Sequence, residues 1–147
     1  MSYFSALDIG ASALTAQRLR MDVISQNIAN ANTTRSEDGL PYRRKEVLFE
    51  ERTQTPSFSS FLEKSSGQYS VGGGVRAAKI VEDSSPFKSV YDPGHPDADN
   101  EGYVQMPNVN VITEMVNMIS ATRSYEAGIT SINTTKSMAM KALEIGR

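Results

Sequence analysis

Apolar residues recur at helical spacing over the last forty residues, 108–147, and no proline follows Pro107. Asn108 and Asn110 are the candidate N-caps, and Glu114 lies in the opening turns, where a carboxylate suits the helix dipole. A helix of about 35 residues would be about 50 Å long, too long to bury within one small core. The apolar stripe therefore needs a partner. Its members are Val111, Met115, Met118, Tyr125, Ile129, Ile132, Ala139 and Leu143.

A second helix is predicted over residues 2–32, where Leu7, Leu14, Met21 and Ile28 recur every seven positions. Such a repeat keeps one seam facing a partner helix, as in coiled coils. Two interpretations stay open, a coiled-coil seam and a single amphipathic helix packed on its own domain. The helix should end where asparagines gather, since asparagine tolerates the left-handed conformation. These asparagines are Asn27, Asn30 and Asn32.

The middle of the chain changes character and favours short strands separated by loops rich in glycine, serine and proline. A mobile loop is predicted at 54–67. The pattern predicts a small β-rich module inserted between two helices, and it divides the chain into 1–32, 33–107 and 108–147. The fold class is therefore mainly α with a small β insert. The predicted strands are 45–50, 68–71, 75–82, 87–91 and 102–105.

Composition narrows the classes of function. A formal net charge of -2 argues against nucleic acid as the main partner. The absence of cysteine excludes a disulfide framework and thiolate chemistry. The sequence contains no run of 18 apolar residues, so it predicts no membrane span. Its first residues lack the basic segment that begins a secretory signal peptide.

Three places in the middle could carry chemistry. Gly72-x-Gly74 resembles part of a dinucleotide fingerprint, but the following residues favour a strand where that motif requires a helix. Asp97-x-Asp99-x-Glu101 resembles the start of a calcium loop without its later glutamate. The single histidine, His95, has no second histidine for a zinc site and no nucleophile motif beside it. A small nucleotide- or calcium-binding module remains the alternative function.

Both ends of the chain carry a recognisable pattern. The run Ser-Gln-Asn-Ile-Ala-Asn-Ala-Asn-Thr at 25–33 closes the first helix, and Asn-Val-Asn-Val at 108–111 opens the second. With Glu114 and the Ser-Tyr-Glu-Ala around Tyr125, these resemble the rod, hook and hook-associated proteins of the bacterial flagellum. The middle runs at 39–44 and 91–104 are similar to the FlgC-type proximal rod family. Gly128 departs from that pattern, because the family more usually has a polar residue there.

The resemblance implies a structural subunit with no enzymatic activity, no cofactor and no metal. It implies that the terminal helices pair as the inner layer of a polymer, with the middle module outside. Because the two stripes are similar in length and the middle module can return the chain to the same end, we predict that the helices pack as an antiparallel coiled coil. Export would proceed through the flagellar type III apparatus, and the rod would transmit torque across the periplasm. The implied partners are other rod subunits, copies of the chain itself and the basal adaptor at the export gate, with the surrounding ring proteins a further candidate.

One expectation concerns the free subunit. A narrow apolar seam buries little when alone, and isolated helices gain most of their stability from packing. Both terminal helices are therefore predicted to be largely disordered in the monomer and to become helical on assembly.

Overall fold

In chain order, two pairs of short strands lie between two long helices in a computed structural model that describes residues 3–36, 39–52 and 72–145. Helix α1 spans Tyr3–Ala29 and helix α2 spans Val111–Ile145. Both predicted helices are confirmed, and α1 ends within the asparagine-rich run. The predicted loop at 54–67 and the predicted strand at 68–71 lie outside the described residues. No helix in the described part of the chain is both long enough and apolar enough to cross a membrane.

Four strands lie between the helices, each within two residues of its predicted bounds. They are β1 (Lys45–Glu51), β2 (Val75–Glu82), β3 (Lys88–Tyr91) and β4 (Tyr103–Met106). In the described residues they form two separate antiparallel pairs, β1 with β2 and β3 with β4. Alternation along a strand does not encode which strand lies beside it, so the division into two sheets could not be read from the pattern.

A β-bulge interrupts the first sheet between Leu48 and Phe49. Leu48 pairs with Lys79 and Phe49 pairs with Ala77, so Ala78 has no partner in the register. A bulge locally disrupts the ladder of paired residues. Beside it, Lys79 is exposed, whereas Val75, Ala77 and Val81 are half-buried, so Lys79 interrupts the apolar alternation of β2.

The two helices pack along each other. A methyl group added at Gly10 would lie 2.8 Å from Cγ1 of Ile132, and one added at Gly128 would lie 2.9 Å from Cδ2 of Leu14. Further along, the Thr122 hydroxyl donates to the sulfur of Met21 at 3.6 Å. The buried apolar residues of the helices cluster around these contacts; they are Ala16, Val23, Ile24 and Ala121.

The face that α2 turns inward differs from the predicted apolar stripe. Inward-facing positions follow a regular seven-residue repeat that alternates steps of four and three. Half of them are apolar members of the predicted stripe, and the other half are small or polar residues that a search for apolar side chains omits. The buried or half-buried positions in this repeat are Glu114, Met118, Ala121, Tyr125, Gly128, Ile132, Thr135 and Ala139.

The first sheet packs against α1 at Gly74. Its φ of 99° is left-handed, a conformation that glycine adopts without strain. A side chain there would collide with the Ser12 hydroxyl. That hydroxyl instead accepts a hydrogen bond from the Val75 amide at 3.1 Å. The glycine-rich motif thus brings a strand close to a helix, and the segment after it is strand β2, as expected.

Candidate assembly surface and the buried polar junction

Asn27 lies at the end of α1 and is fully buried. Its Nδ2 donates to the Lys45 carbonyl at 2.8 Å and to Glu114 Oε2 at 2.9 Å. Its Oδ1 accepts from the Lys45 amide at 2.9 Å and from the Tyr42 hydroxyl at 3.0 Å. An asparagine amide has two N–H donors and an oxygen with two lone pairs, so every capacity of this side chain is used. One side chain therefore joins α1, the start of β1 and α2.

Glu114 is the largest fully buried side chain in the described residues, with 1% of its surface exposed. Arg44 donates from Nε to Glu114 Oε1 at 3.0 Å, and Asn117 Nδ2 donates to the same oxygen at 3.3 Å. A buried carboxylate is costly unless it is paired and hydrogen-bonded, and here both oxygens have partners. The carboxylate predicted to suit the helix dipole is therefore also the centre of a buried network.

Asn108 connects the same network to the loop after β2. Its Oδ1 accepts from the Arg44 amide at 2.8 Å, and its Nδ2 donates to the Asp83 carbonyl at 3.1 Å and to the Ser85 carbonyl at 3.3 Å. We call Asn27, Tyr42, Arg44, Asn108 and Glu114 the polar junction. Because a buried polar network must be satisfied throughout, it admits few alternative arrangements of the elements that it joins.

Three groups in or beside the junction have shifted pKa values. Burial raises the pKa of Tyr42, and the carboxylates of Glu82 and Glu114 add to the rise. Burial opposes the charged form of Arg44, but the hydrogen bond and charge of Glu114 outweigh it and raise the arginine pKa. Hydrogen bonds from Ser85, together with the Arg44 charge, lower the pKa of Asp83. The network thus holds Arg44 charged and Tyr42 neutral.

The remaining asparagines at the helix ends have local roles or lie in solvent. Asn110 is the N-cap of α2, because its Oδ1 accepts from the Ile112 amide at 3.1 Å and the Thr113 amide at 3.3 Å. Asn30 closes α1 by donating to the Gln26 carbonyl at 2.9 Å. Asn32 is exposed.

A large part of the apolar surface of α2 has no cover within the subunit. Ile112 is 76% exposed, and Val116 and Ile119 follow at spacings of four and three. Contiguous exposed apolar surface on a soluble protein marks a site of association. We call this set the exposed apolar surface of α2. Its members are Val111, Ile112, Met115, Val116, Ile119, Ile129, Met138, Met140, Leu143 and Ile145.

The predicted packing residues fall into two groups. The half-buried group meets the rest of the subunit and consists of Leu7, Leu14, Met21, Ile28, Met118, Tyr125 and Ile132. The exposed group belongs to the surface just defined and consists of Val111, Met115, Ile129 and Leu143. A single stripe in the sequence therefore serves two surfaces, one inside the subunit and one facing outward.

The acidic side chains and the histidine that the sequence offered as a candidate site form hydrogen bonds within and beside the loop between β3 and β4. Asp99 Oδ1 accepts from the Glu101 and Tyr103 amides, both at 2.9 Å, and Asp97 Oδ2 accepts from the Thr34 hydroxyl at 2.8 Å. His95 Nδ1 accepts from the Asp97 amide at 3.1 Å. Within the described ranges, no group of three His, Cys, Asp or Glu side chains could hold a metal ion. These side chains shape the loop between β3 and β4.

Sequence reasoning missed Tyr42 and Arg44 as members of the junction. Both lie just before β1, where the basic run Arg43-Arg44-Lys45, followed by glutamates, indicates a charge-mixed strand face or a subunit contact. The available signal was the Gly-Leu-Pro-Tyr-Arg-Arg run at 39–44, which carries part of the family resemblance. The motif was thus visible, but the contacts of Arg44 with residues 64 and 70 positions later, and of Tyr42 with a residue 15 positions earlier, were not.

Comparison with known proteins gives a consistent result over the whole chain. A family model for the flagella basal body rod protein matches residues 7–35, and one for the C-terminal part of flagellar basal body rod FlgEFG proteins matches residues 100–145. The flagellar basal-body rod protein FlgC of Bacillus subtilis is 53% identical, covering 100% of both chains. FlgC of Borreliella burgdorferi is 49% identical over 99% of this chain and 98% of its own, and FlgC of Salmonella typhimurium is 44% identical over 100% of both.

Proposed function

The chain belongs to the family of FlgC-type flagellar basal-body rod proteins, and we propose that it polymerises through its terminal helices into the proximal rod. It is a structural subunit of the basal-body rod and not an enzyme. The observation that carries the proposal is the exposed apolar surface of α2, which the subunit itself leaves uncovered. In a polymer, neighbouring subunits cover such a surface and so provide the driving force for assembly.

The pairing of the two helices is proposed to be an antiparallel coiled coil. Support comes from the order of the contacts: Gly10 meets Ile132, Met21 meets Thr122, and Asn27 meets Glu114. Each step forward in α1 is matched by a similar step backward in α2. The seven-residue repeats on both helices are the pattern that keeps such a seam in contact.

The division of labour within the chain follows from this pairing. We propose that residues 1–32 and 108–147 form the inner, polymerising part of the subunit and that 33–107 lies outside it. The partners are then copies of this chain and other rod subunits, with the basal adaptor at the export gate below them. Contact between the middle module and the ring proteins would use β3, all four residues of which are exposed.

A pair of matched substitutions tests the proposal. Ile112→Asp and Ile80→Asp both place a carboxylate at an exposed isoleucine, with Ile112 on α2 and Ile80 on β2. Because both side chains are exposed in the free subunit, neither change should lower its melting temperature by much. In a polymer, Ile112 becomes buried, and an unpaired buried carboxylate costs several kcal/mol.

Motility of a strain that carries only the variant chain is the readout, together with rods recovered from purified basal bodies. We expect Ile112→Asp to abolish both and Ile80→Asp to leave both intact. Normal rods with Ile112→Asp, in protein that is folded and exported, would show that this surface of α2 does not mediate assembly.

A further inference from the structure

Two glycines lie inside the helices, Gly10 in α1 and Gly128 in α2, and each faces a large side chain of the other helix. Alanine is more favourable than glycine in a helix interior, so local preference does not explain either residue. The space across the interface does: a methyl group at Gly10 would lie 2.8 Å from Ile132 Cγ1, and one at Gly128 would lie 2.9 Å from Leu14 Cδ2. Both contacts are closer than side chains tolerate without movement.

The two contacts are reciprocal. Leu14 lies one turn after Gly10, and Ile132 lies one turn after Gly128. Each helix therefore offers a gap and then, four residues later, a side chain that fills the gap of the other. We infer that Gly10, Leu14, Gly128 and Ile132 form a lock that fixes the register of α1 against α2. We call these four residues the glycine lock.

A lock is needed because the seven-residue seam alone does not specify one register. Sliding α2 by seven residues restores the same face to α1, as in any heptad repeat. In one direction the slide puts Tyr125, which is larger than Ile132, opposite Gly10. The space there is already so small that a methyl group added at Gly10 would collide with Ile132. In the other direction it puts Ala139 opposite Gly10, which leaves a void, and moves Leu14 onto the β-branched Thr135.

The polar junction specifies the same register from the end of the pair. A slide of seven residues is about 10 Å along a helix, which separates Asn27 from Glu114. In the first direction Glu114 would lie level with Met21, a thioether that cannot donate a hydrogen bond to the carboxylate, and in the other it would lie beyond Ala29, the end of α1. The lock in the middle and the junction at the end thus select one alignment. That alignment sets how far the last turns of α2 extend beyond Tyr3, the first described residue of α1.

The chain has no cysteine, so an introduced pair reports the register without background. Met21→Cys with Thr122→Cys joins two side chains that touch in the observed alignment, where the hydroxyl and sulfur are 3.6 Å apart. In the full-length chain at low concentration, mild oxidation should give an intramolecular disulfide, measured by mobility on a non-reducing gel. Adding Gly10→Leu should reduce the yield several-fold, and adding Ile132→Ala to that variant should restore it. Ile129→Ala is the matched control, because Ile129 lies on the same helix but outside the lock.

Two smaller substitutions, followed by their melting temperatures, test the lock even if Gly10→Leu prevents folding. On helix preference alone, Gly10→Ala and Gly128→Ala should both raise the melting temperature. The lock predicts that Gly10→Ala lowers it by about 4 °C, and that Gly128→Ala has a smaller effect because the Leu14 methyl can rotate away. Ile132→Ala should turn Gly10→Ala from destabilising to neutral or stabilising relative to Ile132→Ala alone.

Three results of the cross-linking experiment would overturn the lock. These are a disulfide yield unchanged by Gly10→Leu in folded protein, equal rescue by Ile129→Ala, and no intramolecular disulfide before either glycine is changed. A rise in melting temperature for Gly10→Ala would count equally against it. None of these readouts depends on assembly, so failure of the lock and failure of the proposed rod function can be told apart.

Discussion

The two ends of the helix pair are built from different chemistry. At one end, where α1 finishes and α2 begins, a buried asparagine, a buried carboxylate and an arginine form a satisfied network. At the other end, the last turns of α2 carry Leu143 and Ile145, which are 72% and 86% exposed. Directional polar contacts specify one arrangement, whereas apolar surface associates with little directional preference. The first end therefore favours one arrangement within the subunit, whereas the second leaves apolar surface uncovered.

The register of the pair explains why the second end is open. Because Gly10 lies level with Ile132, Tyr3 lies level with Ala139. The last turn and a half of α2 extends past the described part of α1, and its apolar residues have no helix opposite them. The exposed end is thus a consequence of unequal helix lengths, 27 residues against 35, aligned from the junction.

The second half of α2 also contains many hydroxyl side chains that bond to their own helix. Thr130, Thr134 and Thr135 each donate to the carbonyl four residues earlier, at 2.9, 2.8 and 2.9 Å. Such bonds satisfy the hydroxyl without a partner, but they slightly weaken and often bend a helix. Thr122 and Ser124 make the same bond in the first half, so the fall in local stability that we expect along α2 rests mainly on the loss of packing beyond the described part of α1.

The largest effect that we predict is a gradient of amide hydrogen exchange along α2 in the free subunit. Amides near Glu114 and Ala121 should exchange about a thousandfold more slowly than amides beyond Met138, because the first group opens only with the junction and the second frays. Exchange of the purified full-length chain, followed by peptide mass spectrometry at low concentration, measures this. This prediction differs from the expectation that both terminal helices are largely disordered in the monomer, because the polar junction joins the end of α1 to the start of α2.

Two outcomes would contradict the comparison between the ends. Uniform strong protection along α2, without oligomer, would show that the distal half needs no neighbour. Uniform weak protection, including the junction, would show that the buried network does not hold the helices together before assembly and would restore the original expectation in full.

The second prediction compares two glutamates on the same helix. Glu114→Ala should destabilise the subunit by about 3–5 kcal/mol, because it leaves Arg44 and Asn27 with buried groups that have lost their partner. Glu144→Ala, at an exposed position in the last turn, should change the free energy of unfolding by less than about 0.5 kcal/mol. Urea denaturation of both variants under the same buffer gives the comparison. Equal effects would mean that the junction contributes no more than a solvated charge.

What the sequence could predict depended on whether the signal was local. The two helices α1 and α2, and an asparagine cap at the start of α2, each follow from residues a few positions apart, and the structure has them, with Asn110 rather than Asn108 as the cap. The bond between Asn27 and Glu114 joins residues 87 positions apart, and no periodicity encodes it. An asparagine at a helix end reads as a cap, since that role needs only its neighbours.

The same limit explains the inward face of α2. Gly128 reads as a weak point in a helix when only propensity is considered, and Thr122 reads as an interruption of the stripe. Both face inward, against Leu14 and Met21. A small residue on an interface is informative only once the large residue opposite it is known. The search for apolar side chains therefore found the outward part of the stripe and half of the inward part.

The smallest effect that we predict belongs to Tyr42, at the edge of the junction. Its hydroxyl donates to Asn27 Oδ1 at 3.0 Å, and that oxygen keeps the Lys45 amide as a second donor. Tyr42→Phe therefore removes one hydrogen bond without leaving Asn27 Oδ1 unpaired, and should cost about 1 kcal/mol at neutral pH. The ring stays, with its contact to the Lys45 ammonium, 5.7 Å from the ring centroid.

Tyr42→Phe should also change how the free energy of unfolding depends on pH. Burial first, and then Glu82 and Glu114, raise the pKa of Tyr42 in the folded protein. A group whose pKa is raised on folding stabilises the folded protein at pH values below its pKa in the unfolded chain, which is about 10 for tyrosine. This stabilisation is lost as the pH rises from that value through the pKa in the folded protein. The free energy of unfolding should thus fall less steeply above pH 10 in Tyr42→Phe than in the unaltered chain. Tyr91→Phe is the control, because Tyr91 is an exposed tyrosine that keeps its edge contact with Tyr103. If both variants lose the same alkaline slope, the Tyr42 hydroxyl is not coupled to the junction.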